Sequence, residues 1–159
     1  MKCLRRFGLT AALLVVLATA IGVGPASAST LPGMPACSTG DLVGRYTAGG
    51  GGLAELDLFW DATHKTNCAE MVHLGAAYGH TSYGYVEIST CQGDTPRQAC
   101  VLISATAPYY GYDAGSYAYF AGPASVTGAG HCIAVTGDLD WNGKTYVITS
   151  DPNNYGVHC

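Results

Sequence analysis

A chain of 159 residues with 22 glycines, 11 tyrosines and seven cysteines is long enough for one hydrophobic core and too short for two. Seven basic side chains stand against eleven acidic ones, and three of the seven, Lys2, Arg5 and Arg6, crowd into the first six residues. The other four, Arg45, Lys65, Arg97 and Lys144, are scattered, which excludes the basic patch that nucleic-acid binding requires and disfavours docking on an anionic membrane.

The first 28 residues have the layout of a secretory signal. A basic start is followed by an apolar run over 7–23 and by Ala26-Ser27-Ala28, the small-x-small pattern of a cleavage site. The apolar run is short, so no retained membrane span is expected. Its removal leaves 131 residues with four basic and eleven acidic side chains, a net charge of −7. Residues 29–36, with Pro32-Gly33-Met34-Pro35, read as an extended arm, and 37–159 as a single domain.

The glycines at 49–52 lead into Leu53 rather than a Gly-Lys-Ser/Thr ending, so they read as an inter-strand loop and not as a phosphate cradle. Residues 53–62 alternate, with Ala54, Leu56, Leu58 and Trp60 on one face and Glu55, Asp57 and Asp61 on the other. That is the pattern of a half-buried antiparallel strand. A turn is expected at 63–67 and a strand of mixed alternation at 68–74. Ser82–Thr90, rich in Tyr, Val and Ile, predicts another strand. Shorter strands are expected at 100–106, 117–120 and 124–127, the last two broken by Gly122-Pro123.

Asn142-Gly143 is the favoured pair for a two-residue type I′ turn. It sets a hairpin register of Trp141 opposite Lys144, Leu139 opposite Tyr146, Gly137 opposite Ile148 and Val135 opposite Ser150 on a largely apolar face. Asp140 opposite Thr145 and Asp138 opposite Val147 share the polar face. Cys132 then falls on the Asp138 face, so either a bulge near Gly137 re-aims it or its disulfide lies outside the core. No segment has helical periodicity. The expected fold is all-β, a single antiparallel β-sandwich or small barrel, disulfide-bonded.

Cys3 falls within the signal. The six other cysteines, an even number in an exported chain, read as three disulfides. Cys91 and Cys100 flank a turn-rich insert and are expected to pair. Cys37–Cys159 would tie down both ends, and Cys68–Cys132 would then join across the core. No Cys-x-x-Cys or finger-like Cys/His spacing is present, so no metal is expected.

Chemistry-bearing residues are sparse. His64, His73, His80, His131 and His158 match no helix-borne zinc pattern. No Gly-x-Ser-x-Gly occurs, and no cysteine is spare to act as a nucleophile. Among Asp57, Asp61, Asp113, Asp138 and Asp140 an acid/base pair for glycoside cleavage is conceivable, but carboxylates on polar strand faces are ordinarily just solvated. Neither a catalytic residue nor a cofactor is expected. The most unusual stretch is 109–120, with Tyr109, Tyr110, Tyr112, Tyr117 and Tyr119 followed by Phe120. Tyrosine offers a flat apolar face and a hydroxyl, which suits sugar rings and protein contacts. These tyrosines are the expected binding residues, against the plainer reading that they pack on the domain's own core.

Four features together resemble the spore-associated protein A-like family of secreted actinomycete proteins. They are Cys37 near the mature start, Leu58-Phe59-Trp60-Asp61-Ala62-Thr63-His64-Lys65-Thr66-Asn67-Cys68, Gly115-Ser116-Tyr117-Ala118-Tyr119-Phe120-Ala121-Gly122-Pro123, and 128–132 followed by a strand and Cys159. The family pattern has four mature cysteines, matching Cys37, Cys68, Cys132 and Cys159. Cys91 and Cys100 are then an added pair, and Ile133-Ala134-Val135-Thr136-Gly137 replaces the family's Trp-Gly-Gly. The resemblance implies a small, exported, cysteine-bonded protein and brings neither an activity nor a cofactor. The expected function is therefore non-enzymatic: a secreted protein at the cell or spore surface, acting by adhesion or assembly, with a cell- or spore-surface component such as a glycan as partner. The alternatives are a carbohydrate-binding or glycan-hydrolysing protein, and a protease inhibitor presenting Arg97 on the Cys91–Cys100 loop.

Overall fold

The computed structural model describes residues 36–47 and 52–159. The signal at 1–28, all but the last residue of the arm at 29–36, and Gly49 to Gly51 of the glycine run lie outside the described residues. Eight strands are present: β1 (Asp41–Thr47), β2 (Ala54–Asp61), β3 (Thr66–His73), β4 (Ser82–Thr90), β5 (Tyr110–Tyr117), β6 (Phe120–Thr127), β7 (Ile133–Trp141) and β8 (Lys144–Thr149). Two single 3-10 turns, Ala36–Thr39 and Gly75–Ala77, accompany them, and no α-helix occurs among the described residues.

The strands form two antiparallel four-stranded sheets, with orders β1-β2-β3-β6 and β5-β4-β7-β8. Strands β4 to β7 follow Greek-key order, β7 returning beside β4. The sheets split between β5 and β6, whose backbones nonetheless approach closely: a Cβ on Gly111 would stand 2.7 Å from the Ser125 carbonyl oxygen. Between the sheets lies one core, in which Leu56, Leu58, Met71, Val86, Ile88, Ile133 and Leu139 are fully buried. Each such side chain contributes about 1.5–3 kcal/mol by leaving water. His73 is also fully buried there, and neither ring nitrogen has a side-chain or backbone donor or acceptor in hydrogen-bonding geometry. Burial holds its pKa below the ordinary histidine value.

The alternating strand expected over 53–62 and the strand expected at Ser82–Thr90 appear as β2 and β4. The last hairpin has the register that Asn142-Gly143 dictates, with φ of 51° and 73° at the two turn residues. Three expectations fail. Residues 100–106 form no strand, only a bridge from Leu102 to Cys91, because β4 is already paired on both sides by β5 and β7. Residues 117–120 form no separate strand: Tyr117 ends β5, Ala118 and Tyr119 make the turn, and Phe120 begins β6. Gly122-Pro123 does not break β6. It sits within the strand at a register irregularity opposite Glu70, where Gly122 has φ 122° and a Cβ would stand 3.0 Å from the Ala69 carbonyl oxygen.

Three disulfides are formed, Cys37–Cys68, Cys91–Cys100 and Cys132–Cys159. The local pair is the expected one. The pairings Cys68–Cys132 and Cys37–Cys159 are corrected, for a geometric reason. Cys68 points out of the first sheet, alongside Glu70, and Cys132 lies on the outer side of the second, with Cys91 and Cys100 in a small buried cluster. Two cysteines on opposite outer faces cannot bridge through the core. No bulge interrupts β7, so the disulfide of Cys132 lies outside the core.

Candidate functional site

The two outer faces are treated differently by the chain. On the first sheet, Arg45 of β1 holds Asp57 of β2 through Nε–Oδ1 (3.0 Å) and Nη2–Oδ2 (3.2 Å), and Glu55 lies 3.4 Å from the same guanidinium. Glu70 of β3 stands opposite Asp57 in the ladder and is only 3 % exposed, beside the Cys37–Cys68 disulfide. Burial, then the neighbouring Asp57 charge, raises its carboxyl to about 7. A raised acid beside a second carboxylate is the electrostatic arrangement sought for glycoside cleavage, but Glu70 is shut from solvent. Its oxygen lies within 4.8 Å of the sulfurs of Cys37 and Cys68, and since those sulfurs are bonded to each other the cluster offers no thiolate to a metal.

The second sheet leaves most of its outer face open. On β4 the outward residues include Tyr83, Tyr85 and Glu87, and on β5 Tyr110, Tyr112, Ala114 and Ser116, with Glu87 directly opposite Tyr112. The Tyr85 hydroxyl donates to the Glu87 carboxylate, and the Tyr110 and Tyr112 rings lie 6.1 Å apart. Burial, reinforced by Glu87, pushes the phenols of Tyr85 and Tyr110 upward, so both stay protonated donors. Tyr112 is 64 % exposed and Tyr83 44 %. On β7, Asp138 lies opposite Tyr85, and its Oδ1 is buried without a hydrogen-bond partner. Burial, then Asp140, raises its pKa. Val147 of β8, 57 % exposed, lies opposite Asp138 on the other side. The result is a face of phenol rings with carboxylates set among them. One end of this face is closed by the Cys91–Cys100 insert and the 151–159 segment, which are pinned to each other by the Ala99–Tyr155 bridge and by the Gly156 amide donating to the Gln98 carbonyl.

The five tyrosines singled out in the sequence do not form one patch. Tyr110 and Tyr112 lie on the open face. Tyr117, one register step out of phase, turns inward and packs against the core. Tyr119, in the β5–β6 turn, meets Tyr78 edge-on at 5.1 Å. Tyr109 lines a cleft at the far end with Lys65, Thr127 and His131. Tyr83, Tyr85 and Glu87 were not singled out, although their period-2 spacing in Ser82–Thr90 places all three on one face.

The remaining candidates are dispersed. Asp61 accepts from His64 Nδ1 (2.7 Å) and from the backbone amides of Thr63 and His64, and these bonds lower its carboxyl to about 2. Asp113 accepts the Gly122 amide (2.8 Å), and Asp140 the Thr145 hydroxyl (2.5 Å). His80 rests against Trp141 at 5.8 Å and His158 against Trp60 at 5.7 Å, so the five histidines do not converge. Arg97 is exposed in the Cys91–Cys100 loop with φ 66°, a left-handed turn conformation rather than an extended one.

The fold and face define a class: a disulfide-bonded, two-sheet antiparallel β domain whose first outer face holds its buried carboxylates in an ion pair and beside a disulfide, and whose second presents tyrosines to solvent. Comparison with family models, with curated proteins and with solved structures returns no match. Three disulfides, and the absence among the described residues of any helix long and apolar enough to cross a membrane, are compatible with an extracellular protein.

Proposed function

We propose that this is an exported, non-catalytic binding domain that adheres to a carbohydrate-rich cell or spore surface through the open face of its second sheet. The observation that carries the reading is the run Tyr83, Tyr85, Glu87, Tyr110 and Tyr112 on one solvent-facing surface, with two of the rings strongly exposed. Phenol faces stack on the apolar faces of sugar rings, and the Glu87 carboxylate accepts from sugar hydroxyls. A shallow face suits an extended or insoluble polymer better than a small soluble substrate, which would need a concave pocket. The signal-like start and the resemblance to spore-associated secreted proteins support export to a surface.

The test is sedimentation of the purified protein with insoluble peptidoglycan, chitin, cellulose and intact spores. Saturable binding to at least one of them is expected, with a loss of roughly tenfold or more for Tyr83→Ala/Tyr112→Ala, as for truncated aromatic anchors. Sedimentation with none of the four, or equal sedimentation of the variant, overturns the proposal.

A further inference from the structure

Away from the tyrosine face, the β2–β3 turn, the β6–β7 loop and the 151–159 segment meet at one end of the sandwich. Two adjoining clefts open there, of about 310 and 180 Å³, and Lys65, Gly128 and Ala129 line both. Trp60 and His158 wall the larger cleft, and Tyr109 and His131 the smaller.

Both tryptophans of the chain are half-buried. Trp141 packs against the core. Trp60, at the end of an inward-facing alternation, lies against His158 and walls the cleft. The loop between the two clefts presents almost no side chain. At Gly128 an added Cβ would stand 2.5 Å from Asn67 Nδ2 and 2.7 Å from Ile133 Cδ1, so both side-chain ends would have to shift, and Gly130 has open space around its Cα. His131 Nδ1 is buried without a partner. Lys65 is one of four basic residues outside the first 28, and the one at this cleft, while Arg45 is engaged by Asp57 and Glu55 on the first sheet. A flat indole, a cation and imidazoles around a loop bare of side chains form a site for a flat-faced polar ring carrying a negative charge.

We propose that this end cleft binds a carboxylate-bearing sugar, with Trp60 stacking on the ring and Lys65 pairing with the carboxylate. None of the tyrosine-face residues Tyr83, Tyr85, Glu87, Tyr110 and Tyr112 lines either cleft, so the two sites are tested separately.

The experiment is an NMR titration of the ¹⁵N-labelled protein with trigalacturonate and with its methyl ester, which keeps the rings and removes the charge. Trigalacturonate is expected to shift the Trp60 indole and the amides of 128–131. The ester, and the Lys65→Gln variant with the acid, are expected to bind about tenfold more weakly, the loss of one charge-assisted contact. Lys65 joins the β6–β7 loop through its backbone carbonyl, which accepts the Gly128 amide, so Lys65→Gln preserves the turn. Tyr83→Ala/Tyr112→Ala should leave these shifts unchanged. No shift at this end, equal response to acid and ester, or shifts confined to the tyrosine face would each overturn the inference, whatever the outcome of the sedimentation test.

Discussion

The outer faces of the two sheets start from similar raw material, carboxylates and aromatics on alternate strand positions, and end in opposite states. On the first sheet the charges are neutralised in place. Arg45 clamps Asp57, and Glu70 is closed off beside the Cys37–Cys68 disulfide. On the second the tyrosines stay exposed, and the covering insert and C-terminal segment stop short of them. A covered face contributes stability. An open face with large apolar rings costs solubility and persists where something binds it. On the proposed reading, the first face serves to hold the fold together and the second to contact a partner.

Changes on the first face should alter stability and spare binding. The largest effect is expected from Cys37→Ala/Cys68→Ala. Opening a bond of sequence separation 31 should lower unfolding free energy by roughly 4 kcal/mol on the loop-entropy model. Denaturant titration in non-reducing buffer measures it, and an unchanged midpoint would remove the first face from its structural role. The same variant should let water reach Glu70 and bring its carboxyl back toward its ordinary value.

Glu70→Gln comes next. The folded protein binds the Glu70 proton more tightly than the unfolded chain, with a pKa of about 7 against 4.5. The associated stability is therefore complete below about pH 4.5 and is lost as pH rises through 7. At about 1.4 kcal/mol per pKa unit, the loss reaches roughly 3 kcal/mol. Glu70→Gln should abolish that decline and be the more stable protein at pH 8, as thermal melts across pH would record. His73 acts in the opposite sense. Its lowered pKa favours the neutral ring in the fold, so stability is present above about pH 6.5 and falls as the pH drops toward the folded value.

Gly128→Ala should cost about 1–3 kcal/mol, because Asn67 and Ile133 already occupy the space the methyl group needs. The smallest effect on stability is expected on the open face. Tyr83→Ala and Tyr112→Ala should each change unfolding free energy by no more than about 1 kcal/mol, the scale of a cross-strand pair. Their effect should appear in binding instead. A large loss of stability in these variants would mean that the tyrosines serve the fold.

Much of this arrangement is legible in the residues wherever a signal is local. Asn142-Gly143 fixes a turn and, through it, the register of a whole hairpin. The alternation of Leu56, Leu58 and Trp60 marks β2, and the short turn-rich insert pairs Cys91 with Cys100. What depends on topology is not legible. β1 is an edge strand with a bulge at Val43, so its sequence carries no clean alternation. The partners of Cys37 and Cys132 depend on which outer face each cysteine occupies, and that follows from the order of strands within the sheets. The tyrosine stretch announces itself by composition, yet one residue of phase separates Tyr112, on the surface, from Tyr117, packed on the core. Tyr83 and Tyr85 join Tyr110 and Tyr112 only because β4 and β5 pair.

Hydroxyl-radical footprinting of the protein adsorbed on whichever insoluble glycan or spore surface retains it tests the central claim most directly. The account predicts protection of Tyr83 and Tyr112 relative to the free protein, with Tyr119 at the sandwich end and Leu42 on β1 oxidised as before. Protection of Leu42 or Tyr119 with Tyr83 and Tyr112 left reactive would contradict it.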